Sequence, residues 1–490
     1  MNTQRLDRLV DSNVIIDTDG YKPSHFLQFP PDTEGLFAYV SARKGPFGRT
    51  LFFGLQYPLK RYFSRPLTRE DVDDAQPFIE GGGMPFNREG WDYIVDRLGG
   101  RIPLEICAVP EGTLVPNGIP MVTVRSTDPK VPWIADYFEA PILRGIWYPT
   151  SVATLSWAIK NVIRKALVRS SENPDQQLLF KLNDFGARGV SSRESAGLGG
   201  MAHRVNFQGS DTLVSLPYAM RYYDAQMEIV SIPASEHGTM TSWGRAGEVD
   251  AYRNMIRAFA GPGKVYAMVV DAYNVYEAIE THIGTTLRDE IVRAQGTLVV
   301  RPDSGDPVQM SVRVLQMLDA KFGSTVNKLG FKVLNGVRMI YGDGINLRSI
   351  QAILDAIMAV GYSVENIAFG MGGALLQGPQ RDDHSMAMKI AALLASGQWR
   401  EVYKDPVTDP GKASLRGVVS SYRSRKTGEW RCMLRTEAMQ HPEFEDMLQP
   451  VWRNGTLLVD QRFNEVRDRV RQQTMELLAM EPDFELKLAA

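Results

Sequence analysis

Seven apolar runs in the middle of this chain each stop at a polar or glycine-rich turn, and they do so at nearly even spacing. They end at Asn183-Asp184-Phe185-Gly186, Ser210-Asp211-Thr212, Ser235-Glu236-His237, Val270-Asp271-Ala272, Val300-Arg301-Pro302-Asp303, Tyr341-Gly342-Asp343 and Phe369-Gly370-Met371. With Asp184, Asp211, His237, Asp271, Asp303, Asp343 and Gly370 as markers, the steps are 27, 26, 34, 32, 40 and 27 residues. A strand plus its crossover helix occupies about 30 residues. The period predicts an α/β fold built on a (β/α) barrel, irregular in places, with its chemistry on the carboxyl face. An open doubly wound sheet is the alternative, but it would gather its polar turns around one switch point.

The flanks read differently. From residue 13 to about 150, short apolar runs (Val14–Ile16, Leu36–Val40, Leu104–Val109, Met121–Val124) alternate with Pro/Gly turns, a mostly β pattern with one helix near Trp91–Leu98. A helix from about Ser151 to Leu167 leads into the repeating region. There, helical spacing marks Tyr218–Met227, Val249–Phe259, Pro307–Phe322 and Leu347–Val360. After Gly373 the alternation breaks. Short runs return at Leu415–Val419, Trp430–Leu434 and Leu448–Trp452, and an amphipathic helix follows over Phe463–Leu478. The expected organisation is a barrel catalytic domain over 151–384, flanked by one β-rich domain assembled from 1–150 and 385–490.

A net charge of −2 gives no electrostatic case for nucleic acid or an anionic membrane, so any phosphate affinity must be local. No apolar run approaches the roughly 20 residues that span a bilayer. Met1–Ser12 is charged and has no apolar core of a secretion signal, so the expected location is cytoplasmic. Cys107 and Cys432 lie in apolar runs and read as buried thiols rather than a disulfide. No CxxC, HExxH or EF-hand spacing occurs, which argues against a dedicated structural metal.

The turns carry specific chemistry. In Arg301-Pro302-Asp303-Ser304-Gly305-Asp306-Pro307, a guanidinium suited to oxyanions sits beside a carboxylate suited to hydroxyls, a pairing that fits a phosphorylated sugar. An ordinary turn with a surface ion pair is the plainer alternative. In Asn183–Ser192, Phe185 can stack a flat ring, Arg188 can hold a phosphate, and Ser191 or Ser192 can cap a helix. Phe369-Gly370-Met371-Gly372-Gly373-Ala374 is a glycine-rich turn able to present backbone amides to a phosphate, with Arg381 downstream as a cation. His237, one of six histidines, is a nucleophile, a base or a polar contact, and Asp271 can orient its ring. The cations Lys404, Lys412, Arg416, Arg423, Arg425 and Lys426 form either a solvated hairpin or a lid over a polyphosphate.

Taken in order, Asp17–Lys22, Asn183–Ser192, Asn206–Thr212, Pro233–Thr239, Arg301–Asp306, Tyr341–Gly344, Phe369–Gly373 and Lys404–Val407 resemble the nicotinamide phosphoribosyltransferase family over nearly the whole chain. The resemblance implies attack of nicotinamide on phosphoribosyl pyrophosphate with Mg²⁺. It also implies ATP as a coupled substrate through a phosphohistidine, and a homodimer with shared active sites. It implies that Phe185, with Tyr21 from the other subunit, sandwiches the pyridine ring, and that Asp211 and Arg301 address its amide. Ser231 and Gly372 are further substrate-binding positions. By the same likeness Arg188, Gly373 and Arg381 hold the 5-phosphate, while Asp303, Gly342 and Asp343 reach the ribose. Asp303 and Asp343 would meet the metal indirectly or through substrate. Asp19, Arg43, Lys389, Lys404 and Lys412 line the pyrophosphate side, and His237 is phosphorylated with support from Glu236 and Asp271. Two departures stand out: the loop between Arg43 and Phe53 is shorter than in vertebrate members, and Ala267 replaces a serine near the ring. The rivals are a nicotinate phosphoribosyltransferase, against which Asp211 would repel a carboxylate, and a non-catalytic nucleotide-binding protein.

Overall fold

The computed structural model describes residues 3–408 and 413–481. They fall into two compact units, one within Met1–Ser151, Ala219–Ala225 and Gln380–Ala490, the other within Val152–Tyr218 and Gln226–Pro379.

The first unit is organised by a seven-stranded antiparallel sheet, ordered Gln398–Glu401, Ala387–Ala395, Thr33–Ser41, Pro120–Ser126, Leu104–Ala108, Gln449–Arg453 and Thr456–Leu457. Segments from both ends of the chain therefore share one sheet. Thr33–Ser41 shows how the period of two works when both faces are covered. Leu36, Ala38 and Val40 enter the main core, while Phe37 and Tyr39 point the other way, onto Ala391, Ala392 and Val419.

This unit is less β-rich than its sequence suggests. Arg69–Gly81 is a helix, started by a reciprocal capping box between Thr68 and Asp71. Val14–Ile16 is a 3₁₀ turn rather than a strand, because the Asn13 side chain accepts from the Ile15 N–H at 3.1 Å. The helix expected from Ser151 begins at Glu139 and runs to Ser170 through Pro149; buried Ile142, Ile146, Val152 and Ala153 on either side of the proline outweigh its missing N–H. The strand expected over Leu415–Val419 begins at Val419 and runs to Ser424. Cys107 and Cys432 are free thiols.

The second unit carries a five-stranded parallel sheet: β1 Leu182–Asp184, β2 Val265–Val269, β3 Thr297–Arg301, β4 Val337–Tyr341 and β5 Ile367–Met371, in spatial order β1-β5-β4-β3-β2. Helix Pro307–Phe322 starts with Pro at its first position and Asp306 accepting from the Gln309 N–H at 2.8 Å. Helix Leu347–Ala359 buries Ile350, Ile353, Leu354 and Ile357, the stripe that its spacing predicts.

Two of the seven apolar runs are not strands. The segments at Ser210 and Ala234 meet the sheet edges only through isolated parallel bridges, Asp184↔Ser210 and Ala234↔Ala267. Gly209 and Pro233 account for this, since glycine weakens a strand and proline cannot donate to a ladder. The regular strands thus form a five-stranded parallel sheet in an α/β unit. Among the described residues, no helix is long and apolar enough to cross a membrane.

Candidate active site

Every parallel strand delivers a polar or glycine turn to the same edge. At the end of β1, Asp184 is fully buried and accepts from the Gly186 N–H at 2.7 Å and the Ser210 hydroxyl at 3.2 Å. Burial raises its carboxyl above the ordinary range, and the bonds from Gly186 and Ser210 oppose that. The pinned turn that follows packs against the glycine turn after β5. A Cβ on Gly189 would stand 3.4 Å from the Gly373 Cα, so the two turns lie side by side. Arg188 is exposed at this crevice. Ser192, not Ser191, caps helix Arg193–Arg204, accepting from the Ser195 N–H at 3.0 Å.

Phe185 sits beside this crevice, on a seat that only glycine allows. A Cβ at Gly370 would fall 2.0 Å from its ring. The Arg301 guanidinium lies over the same ring, 5.3 Å from its centroid, and donates to Asp303 at 2.9 Å. The Arg301 Nε is buried without a partner, an N–H still able to donate. A Cβ at Gly342 would meet Asp303, Phe185 and Arg301 at 3.1, 3.5 and 3.6 Å, so Gly342 belongs to the same cluster. Asp343 is exposed beside it.

Asp211 accepts from the Ser231 hydroxyl at 2.5 Å, and its N–H donates to the Asp184 carbonyl at 2.8 Å. Desolvation raises the Asp211 carboxyl; the Ser231 hydroxyl counters this, Asp184 adds to it, and Arg301 counters it. Ala267, buried in β2, contributes through its backbone: its N–H donates to Pro233 at 2.9 Å and its carbonyl accepts from Ser235 at 3.0 Å.

His237 is 48% exposed and its Nε2 is 3.0 Å from Oδ1 of Asp271, which is 5% exposed. The other Asp271 oxygen accepts from the Asp303 N–H at 3.1 Å and the Ser304 hydroxyl at 2.5 Å. Glu236 occupies the N-cap of the short helix His237–Thr241, its N–H donating to Thr239 at 3.1 Å; the ring of His237 is held by Asp271 instead.

The remaining sequence candidates belong to the first unit. Tyr21 is 56% exposed, with its hydroxyl 3.5 Å from Asp19. Beside it, buried Lys22 is held by Asp136 and Glu139 at 2.7 Å each. The Arg43 Nε donates to the Ser385 carbonyl at 3.0 Å. Burial lowers the Lys389 ammonium; Glu139 opposes this, and Arg43, Lys404 and Lys22 lower it further, so these cations share one neighbourhood. Lys404 is exposed, and Arg381 pairs with Asp382 at 3.0 Å. Lys412 lies outside the described residues. Arg416, Arg423 and Arg425 are paired with Glu401, Glu476 and Glu445, as a solvated hairpin would have them.

Sequence reasoning gave no role to Asp184, Ser304 or Tyr341. Ser304 lay in a quoted turn, but its partner 33 residues away is fixed only by the fold.

Residues 180–456 match the nicotinate phosphoribosyltransferase (NAPRTase) family, and residues 13–106 match the nicotinamide phosphoribosyltransferase N-terminal domain. The chain is 51% identical to a nicotinamide phosphoribosyltransferase of Xanthomonas campestris pv. campestris over 456 residues, covering 93% of this chain and 97% of that one. It is 28% identical to a nicotinamide phosphoribosyltransferase of Acinetobacter baylyi, covering 93% and 96%. Among solved structures, a nicotinate-nucleotide pyrophosphorylase from Pyrococcus furiosus superimposes with a TM-score of 0.62 at 15% identity, covering 97% of each chain. Human nicotinic acid phosphoribosyltransferase follows at 0.51 and 15%, covering 92% of this chain and 91% of that one. At those identities the likeness is one of fold.

Proposed function

This chain belongs to the nicotinamide phosphoribosyltransferases, within the wider nicotinate phosphoribosyltransferase family, and we propose that the turns at the carboxyl edge of its parallel sheet are its active site. The enzyme transfers the phosphoribosyl group of 5-phosphoribosyl 1-pyrophosphate to nicotinamide, giving nicotinamide mononucleotide and pyrophosphate. The observation that carries the site assignment is the joint placement of the Phe185 ring, the Arg301 guanidinium above it and Asp303 at 2.9 Å from Arg301. That is a seat for a flat heterocycle directly beside a carboxylate suited to a sugar.

In the transfer, the pyridine nitrogen attacks C1 of the ribose and the C1–oxygen bond to pyrophosphate breaks, with the bonding pair leaving on the oxygen. The pyridine lone pair is already free, so no base is required. Asp303 and Asp343 face the positive charge that develops on the sugar. The paired glycine turns at 186–189 and 372–373, with Arg188, hold the 5-phosphate. Asp211, set by Ser231, accepts from the amide NH₂. Two carboxylates, Asp343 exposed and Asp303 part-buried, are too few to hold a magnesium ion alone but suit one carried by the pyrophosphate. Bound there, Mg²⁺ would neutralise leaving-group charge.

His237 is the site of ATP coupling in this reading. Its Nε2–H donates to Asp271, which leaves the Nδ1 lone pair to attack the γ-phosphate while ADP departs. Glu236 supports that helix start. Tyr21 of the partner subunit closes the ring sandwich, and Asp19, Arg43, Lys389, Lys404 and Lys412 of the partner subunit line the pyrophosphate, in a homodimer. The exposure of Tyr21 and the cation grouping around Lys389 support this. The parallel sheet is read as an irregular barrel, supported by the bridges at both edges and by the 2.8 Å bond from the Ser210 N–H to the Val230 carbonyl. Free thiols suit a cytoplasmic setting.

Kinetics of Phe185→Ala and Arg301→Ala test the site. Each should raise the KM for nicotinamide by at least about tenfold, the scale of one stacking or charged contact. Wild-type kinetics in both folded variants would place the site elsewhere.

A further inference from the structure

We infer that Ser304 is a positioning residue that transmits the state of His237 to the Asp303 turn, through Asp271. The inference rests on the phosphohistidine reading above and adds a residue and a route to it.

Asp271 divides its carboxylate between two parts of the site. Oδ1 faces the His237 ring at 3.0 Å, and Oδ2 accepts from the Ser304 hydroxyl at 2.5 Å and the Asp303 N–H at 3.1 Å. The Asp271 side chain is almost buried, so water does not substitute freely for any of the three donors. In such a setting hydrogen bonds to one acceptor respond to each other. A phosphate on Nδ1 withdraws electrons from the imidazole and makes its Nε2–H a stronger donor. Asp271 is then drawn towards the ring, and its hold on Ser304 and the Asp303 N–H weakens. The turn that carries the ribose-facing carboxylate is thereby released on phosphorylation and re-tightened when the phosphate leaves.

The turn does not depend on Ser304 to form. Buried Tyr341 places its hydroxyl 3.1 Å from both the Ser304 and Gly305 carbonyls. Gly305 takes a φ of +92°, open to glycine, and Asp303 is held independently by Arg301. What the Ser304 hydroxyl adds is the connection to Asp271.

The test measures two quantities in Ser304→Ala, Ser304→Thr and wild type. One is acid-labile labelling of the protein by γ-labelled ATP; the other is the ratio of kcat/KM for transfer with and without ATP. We expect Ser304→Ala to remain labelled while its stimulation by ATP falls at least about fivefold, the lower range of coupling between sites. Ser304→Thr, which keeps the hydroxyl, should recover the stimulation. Three results overturn the proposal: an unchanged stimulation in Ser304→Ala, a fall in both rates with the ratio intact, or no recovery with threonine. Wild type that takes no label would remove the phosphohistidine reading and this inference with it. A labelled wild type with an unaltered Ser304→Ala ratio would remove this inference alone.

Discussion

Asp271 Oδ1 stands 3.0 Å from Nε2 of His237, with the carboxylate almost buried and the imidazole half in solvent. A buried anion beside an exposed ring fixes which nitrogen keeps its proton, and leaves Nδ1 with the lone pair that the proposed ATP coupling requires. Replacing Asp271 by asparagine offers the ring an amide donor and favours the opposite tautomer. The rate of acid-labile labelling by γ-labelled ATP should fall by about 100-fold or more, within the range seen when such an orienting carboxylate is lost. His237→Ala should abolish labelling and retain a slower, ATP-independent transfer. Label persisting in the alanine variant would assign the phosphate to another residue.

In the proposed site, amide selectivity turns on Asp211. Asp211→Asn should lower the preference for nicotinamide over nicotinate at least tenfold, about 1.4 kcal/mol, the size of one charged hydrogen bond. The two kcat/KM values measured side by side check this. An unchanged ratio would take Asp211 out of the specificity role.

Gly370 makes room for the Phe185 ring. In Gly370→Ala the new Cβ would lie 2.0 Å from that ring, so the ring must move. Overpacking of this kind costs about 1–3 kcal/mol. The KM for nicotinamide should rise more than the KM for phosphoribosyl pyrophosphate, because the displaced group is the stacking surface. Equal changes in both constants would show that the ring does not serve nicotinamide.

Activity should depend on subunit pairing. Tyr21→Ala and Arg301→Ala proteins, each impaired alone and mixed under conditions in which subunit exchange is verified, should recover activity with a low KM for nicotinamide through one intact site per heterodimer. Exchange without recovery would contradict a shared site.

Buried His203 sets a pH limit on folding of the second unit. Its ring lies between the Ser156 hydroxyl and the Gly209 carbonyl, each at 3.0 Å, and burial lowers its pKa to about 4. The folded value is depressed below the ordinary 6.5, so neutral His203 contributes stability that is full above that value. The contribution is lost as pH falls towards about 4. Across that window the loss should be on the order of 3 kcal/mol. Urea unfolding at pH 7 and pH 5 should show about 2 kcal/mol of it, and His203→Gln should flatten the slope. An identical slope in the variant would contradict the assignment.

The sequence marks the proposed site where an apolar run stops abruptly at charged or glycine residues. Arg301-Pro302-Asp303 and Phe369-Gly370 were legible in this way, as were helices Pro307–Phe322 and Leu347–Ala359, whose apolar residues keep a helical period. Arg69–Gly81 was missed because Pro77 and the glycines from 81 onwards look like loop punctuation, although Thr68 and Asp71 already spelled a capping box. The segments around Ser210 and Ala234 look like strands in hydropathy yet carry Gly209 and Pro233, which break the ladder. The Asp271–Ser304 and Tyr341–Ser304 contacts were not legible at all, because they join neighbouring strand ends whose relative height only the folded sheet determines.

The most direct measurement is mass-spectrometric detection of products from the purified full-length protein supplied with phosphoribosyl pyrophosphate, Mg²⁺ and either nicotinamide or nicotinate, with and without ATP. Nicotinamide should yield its mononucleotide and pyrophosphate in equal amounts, faster with ATP, while nicotinate yields its mononucleotide at least about tenfold more slowly. Conversion of nicotinate alone, or no mononucleotide from either base, would contradict it.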